Sequence, residues 1–90
     1  MRSCVEVTVT GRVQGVAFRY HAERRAAELG VHGWVRNEPD GSVRLHLEGD
    51  AAAVDSLVTW CRQGPTSARV ERVDVRDAAD AGATSFRITY

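Results

Sequence analysis

Residues 11–19 read GRVQGVAFR, and these residue types suit the capture of an anion. Two glycines and no helical period predict a loop over 11–17. The apolar stripe Phe18, Ala22, Ala26 and Leu29 predicts a helix that begins directly after it. N–H groups at a helix start lack intrahelical acceptors, and the aligned peptide dipoles place partial positive charge there. N–H groups of the preceding loop can converge into an anion-binding nest. Gly15 lets the backbone approach an oxygen closely. Arg19 adds a permanent charge on a planar fork that matches a phosphate. The sum is an anion site that needs neither metal nor lysine. The same spacing also fits an ordinary strand-to-helix loop with a surface arginine.

Asn37 is the second candidate. It ends the Val- and Trp-containing run 31–37 and precedes Glu38-Pro39-Asp40-Gly41. Asparagine is common beside turns because it bonds its own backbone. Its carboxamide can also accept from a water and donate to a phosphoryl oxygen at the same time. It then orients a nucleophile without having to be a base.

Eighteen positions separate Arg19 from Asn37, so only the fold can bring them together. Residues 4–10 alternate, with Val5, Val7 and Val9 on one face, and predict a half-buried strand. After the helix over 18–29, Gly30 is a plausible cap. A strand over 31–37, the Pro-Asp-Gly turn and an alternating strand over 42–48 predict a hairpin ended by Gly49. Asp50 suits an N-cap, and Val54, Leu57, Val58 and Cys61 mark a second helix that stops at Gly64-Pro65. Residues 69–76 predict a fourth strand. Its valines at 70, 73 and 75 do not hold one parity, which implies a bulge. Phe86, Ile88 and Tyr90 alternate in a short last strand.

The order β-α-β-β-α-β plus a terminal strand is the ferredoxin-like split βαβ pattern. It is an α+β, two-layer sandwich with an antiparallel sheet, both helices on one face and an extra short C-terminal strand. All of residues 1–90 fit one domain. In this topology strands one and two run the same way with strand three between them. Their C-terminal ends then lie about 10 Å apart. The 11–17 loop leaves one end and Asn37 finishes the other, so an arginine at the helix start can reach across much of the gap.

GRVQGVAFR at 11–19 and GWVRNEPDGSVRLHLEG at 33–49 resemble the two signature segments of the acylphosphatase family. GPTSARVERVDV at 64–75 and SFRITY at 85–90 are similar to that family too, so the likeness covers nearly the whole chain. The resemblance implies the same ferredoxin-like fold. It implies hydrolysis of a carboxyl-phosphate anhydride to carboxylate and phosphate without cofactor or metal. It places the catalytic arginine on Arg19 and the catalytic asparagine on Asn37. The phosphate-binding residues become Gln14, Gly15, Val16, Ala17, Phe18 and Arg19. Ala17 and Tyr20 are variable neighbours. Related domains also occur fused to carbamoyl-transfer maturation factors, so a binding module without turnover is the competing reading.

Other residues offer less. All twelve basic residues are arginine, which excludes a Schiff-base lysine and a Walker-type lysine. Cys4 and Cys61 match no zinc, redox or phosphatase spacing and read as reduced thiols. His21 reads as a surface or partly buried helical residue, and His32 and His46 as separate strand residues. Glu38 and Asp40 belong to the turn, and Trp34 to packing. The terminal carboxylate of Tyr90 is within conceivable reach of Arg19. The net charge of zero and only two Phe speak against nucleic acid as a partner. No apolar run long enough for a signal peptide or membrane span opens the chain. The expectation is a cytoplasmic monomer acting on a small acyl phosphate.

Overall fold

The computed structural model describes residues 1–90 and carries seven elements: β1 (Arg2–Arg12), α1 (Phe18–Leu29), β2 (His32–Asn37), β3 (Val43–Asp50), α2 (Ala51–Gln63), β4 (Arg69–Asp77) and β5 (Phe86–Ile88). The strands form one sheet in the order β4-β1-β3-β2-β5. β3 is antiparallel to both β1 and β2, so β1 and β2 run the same way on either side of it. Alternation along the strands sends Val5, Val7, Val9, Val35, Leu45 and Leu47 to one face. There they bury against Phe18, Ala22 and Ala26 of α1 and Val54, Leu57 and Cys61 of α2. Burial pushes the Cys61 thiol up to about 12, as expected of an inert core thiol. α1 ends where Gly30 turns left-handed and the Val31 N–H returns to the Ala26 carbonyl at 2.9 Å. No helix is long and apolar enough to cross a membrane.

The bulge implied by the β4 valines is present. Thr10 faces Arg72 and Gly11 faces Val70, which leaves Glu71 without a partner. Pairing with β4 beyond the bulge extends β1 to Arg12, so the connecting loop starts at 13 rather than 11. A side chain at Gly11 would place its Cβ 2.2 Å from the Arg69 carbonyl oxygen, so this close crossing requires glycine.

Three expectations need correction. β3 does not stop before Gly49; it continues to Asp50 because Gly49 pairs with Ser3. Asp50 stands at the start of α2 but makes no side-chain cap bond. The sheet is mixed, because β5 lies parallel to β2 with Phe86, Arg87 and Ile88 opposite Gly33, Trp34 and Val35. β4 and β5 thus occupy opposite edges, about 19 Å apart. Residues 78–85 make that crossing, and eight residues reach about 27 Å when extended.

The crossing segment explains a further difference. Strict alternation assigns His46 and Glu48 to the polar face, yet both are buried, Glu48 completely. The Glu48 carboxylate accepts from the Ala81 and Ala83 N–H groups at 2.6 and 2.9 Å, thereby clasping the crossing segment. It also meets His46 Nε2 at 2.6 Å and Arg2 Nη2 at 3.1 Å. Burial alone would raise the Glu48 carboxyl. The His46 hydrogen bond and the two N–H groups outweigh burial and hold it below its ordinary value. The hydrogen bond from Arg2 likewise lowers Asp80. Both groups titrate lower when folded. Their stabilisation is therefore complete above the unfolded carboxylate range near pH ~4 and is lost as pH falls through the folded values. Glu48→Gln is expected to cost about 2 kcal/mol at neutral pH, read as a lower urea midpoint. It should also flatten the fall in stability on acidification.

Candidate functional site

The loop between β1 and α1 is held from several sides. Val13 and Phe18 are buried, and the Phe18 ring packs against Trp60 with centroids 5.1 Å apart. Gln14 Nε2 donates to the carbonyls of Glu38 and Ser42 at 2.7 and 2.9 Å, which ties the loop to the β2–β3 turn beside Asn37. Ser67 Oγ donates to the Val16 carbonyl at 3.1 Å. Between these anchors, Gly15 at φ 73° and Ala17 at φ 61° both take the left-handed conformation, and Ala17 is the only non-glycine residue with positive φ. An alanine there costs on the order of 1 kcal/mol.

This geometry leaves donors free. The N–H groups of Gln14, Gly15, Val16 and Ala17 find no acceptor within the chain. The first helical bond of α1 runs from the His21 N–H to the Ala17 carbonyl at 3.1 Å, so the N–H groups of Phe18, Arg19 and Tyr20 precede it. Ala17 offers no side-chain cap, and the first turn carries no acidic residue to neutralise the dipole. Left-handed residues at alternate positions turn successive N–H groups toward one concavity, the nest arrangement that takes an anion.

A cavity of about 260 Å³ opens in front of these groups. Gly15, Ala17, Phe18 and Arg19 line it from the loop and α1, and Asn37 lines it from β2. The parallel ends of β1 and β2 thus bring Arg19 and Asn37 to one space. Gln14 and Val16 do not line it with their side chains; only their main-chain N–H groups are available to a ligand. Arg19 makes no ion pair. Its Nη1 donates to the Thr89 carbonyl at 3.5 Å, and its guanidinium lies 5.0 Å from the centre of the Tyr90 ring. The ring of Tyr90 is thus in contact with Arg19. The Asn37 carboxamide has no hydrogen-bond partner in the chain, and Asn37 lines the cavity.

The neighbouring acids are occupied elsewhere. Asp40 Oδ1 accepts from Ser42 Oγ at 2.6 Å and Ser42 N–H at 2.9 Å, and these bonds hold its carboxyl below the usual range. Glu38 lies 3.3 Å from Arg36 and 3.9 Å from Arg44. Neither lines the cavity, so Arg19 is the charged side chain that a ligand meets there. Trp34 packs on His46 with ring centroids 6.0 Å apart and carries Arg36 at 4.6 Å, consistent with a packing role. Cys4, Glu48 and Asp80 cluster at the opposite end of the sheet, where Arg2 and main-chain N–H groups engage the two carboxylates. The anchoring role of Gln14, the Thr89 carbonyl contact and the ring contact from Tyr90 were not visible in the residue pattern. The Gln at the centre of GRVQGVAFR was a signal only for the loop.

Comparison with known proteins identifies the family of the chain. A model of the family described as acylphosphatase matches residues 5–88. The chain is 64% identical over 88 residues to an acylphosphatase of a Nocardioides species, covering 98% of this chain and 89% of that one. Among solved structures, an acylphosphatase from Coxiella burnetii superposes with a TM-score of 0.94 at 35% identity, covering 98% of this chain and 93% of that one. The acylphosphatase from Bacillus subtilis gives a TM-score of 0.94 at 34% identity over the full length of both chains.

Proposed function

Because the chain belongs to the acylphosphatase family and shares its acyl-phosphate hydrolase activity, we propose that Arg19 and the free N–H groups of residues 14–20 hold the phosphoryl group while Asn37 orients the attacking water. One observation carries this reading: an unpaired guanidinium, a run of unbonded main-chain N–H groups and an unengaged carboxamide meet at one cavity. Water attacks phosphorus, the bond from phosphorus to the acyl oxygen breaks, and the carboxylate leaves with the electron pair. A carboxylate is a weak base, with a pKa near ~4, so departure needs no general acid. The water proton passes to a phosphoryl oxygen of the substrate, since the nearby carboxylates are committed to the turn. Catalysis then consists of positioning and of stabilising charge on the equatorial oxygens.

The substrate is a small acyl phosphate, and this chemistry requires no cofactor. The purified protein is expected to consume acetyl phosphate and release inorganic phosphate at the same rate with and without a chelator. A non-catalytic binding module would bind phosphate yet leave acetyl phosphate intact, and that result would overturn the reading.

A further inference from the structure

The phosphoryl-holding groups and the water-orienting carboxamide stand on separate pieces of the chain. The loop N–H groups lie between β1 and α1, and Asn37 ends β2. β3 separates the two strands, and its pairing with β1 stops where Val9 faces Val43. Beyond that point Thr10, Gly11 and Arg12 pair with β4 alone. No strand ladder therefore fixes the loop relative to Asn37. Two hydrogen bonds cross from residues 13–17 to residues 37–42, and both come from the Gln14 side chain. We infer that Gln14 is a positioning residue: its side-chain amide sets the separation between the phosphoryl-holding loop and Asn37, and with it the line along which water meets phosphorus.

This inference rests on the roles proposed above for the loop and for Asn37. The Gln14 amide nitrogen carries two N–H groups. Each has an acceptor, the Glu38 carbonyl at 2.7 Å and the Ser42 carbonyl at 2.9 Å. These two residues form the step next to Asn37. Asn37 faces Val43, and the Glu38 N–H donates to the Ser42 carbonyl at 2.8 Å. The Gly41 N–H donates to the Glu38 carbonyl at 3.1 Å, so the turn is closed on itself where Gln14 grips it. Ser42 is buried, which holds that grip at a packed position. The main-chain N–H of the same Gln14 is among the free donors of the loop. One residue thus offers a donor to the phosphoryl group and fastens the segment that carries the carboxamide. Its side chain does not line the cavity, so it acts through the groups it places. Placement matters because a shift of about 1 Å between reacting groups costs up to about a hundredfold in rate.

The test measures kcat for acetyl phosphate and the inhibition constant of inorganic phosphate in the wild type, Gln14→Met, Gln14→Glu, Asn37→Ala and the Gln14→Met, Asn37→Ala double variant. Methionine keeps the volume of glutamine and removes both donors, so the fold should survive. Glutamate keeps the shape but sets a carboxylate against two carbonyl oxygens. Gln14→Met is expected to lower kcat by about tenfold, and Gln14→Glu at least as far. Phosphate inhibition should stay within about threefold of the wild type, because the loop N–H groups and Arg19 remain. In the Asn37→Ala background, Gln14→Met should lower kcat by less than about twofold, since the group it places is already gone. A wild-type kcat in both single variants would overturn the inference and leave the phosphoryl site standing. So would the same tenfold loss with and without Asn37, or a loss of phosphate binding as large as the loss of kcat, because Gln14 would then support the loop alone. An unchanged kcat in Asn37→Ala would overturn the role of Asn37 and the inference together.

Discussion

Arg19→Ala is expected to lower kcat/KM for acetyl phosphate by about three orders of magnitude and to weaken inorganic phosphate as an inhibitor in the same variant. Arg19 is the charged side chain in the cavity, and no Asp or Glu side chain pairs with it. Its guanidinium is positioned by the Thr89 carbonyl and the Tyr90 ring, so its charge is already placed before substrate arrives. The main-chain N–H groups remain in the variant, but partial charges do not replace a full one. Arg19→Lys keeps the charge and loses the planar fork, so it should recover only part of the activity. Steady-state kinetics with phosphate inhibition constants check this, with circular dichroism to show that the fold survives. Phosphate inhibition that does not change in Arg19→Ala would remove Arg19 from the binding role.

Asn37→Ala should behave differently. A fall in kcat of two to three orders of magnitude is expected, with KM and the phosphate inhibition constant within about threefold of the wild type. The carboxamide makes no bond inside the chain, so its loss takes no structural support away. Glu38 and Asp40, the nearest acids in sequence, are tied to Arg36 and Ser42 and cannot take over the water. Asn37→Asp should not restore the rate, because a carboxylate facing the phosphoryl group adds repulsion and removes the N–H donors of the amide. A variant that binds phosphate poorly and still hydrolyses at the normal rate would reverse the assignment of roles.

The two variants depend on elements that differed in how well the sequence announced them. α1 was legible because Phe18, Ala22 and Ala26 repeat with the helical period and are the residues buried in it. The meeting of Arg19 and Asn37 followed from topology, since parallel β1 and β2 must end at the same side of β3. The bulge was legible because Val70 and Val73 cannot share a face in a regular strand.

What stayed hidden has one physical cause in common: it depends on segments remote in the chain. Alternation along β3 says which face Glu48 occupies, but not that residues 78–85 cross over and bury it. The parallel partner of β5 is equally non-local, because three alternating residues define a strand and not its neighbour. Ala17 hid for another reason. Alanine gives no sign of a left-handed conformation, so the strain that helps to aim the loop N–H groups was not readable. Gln14 was placed in the phosphate loop by resemblance; its side chain instead holds that loop to the turn that follows Asn37.

A crystal structure of the protein with bound inorganic phosphate tests the account most directly. Phosphate oxygens are expected about 3 Å from the N–H groups of the 14–20 segment and from the Arg19 guanidinium, with the Asn37 carboxamide facing phosphorus across the width of one water. Phosphate seated elsewhere, or held by Arg19 with Asn37 turned out of the cavity, would contradict it.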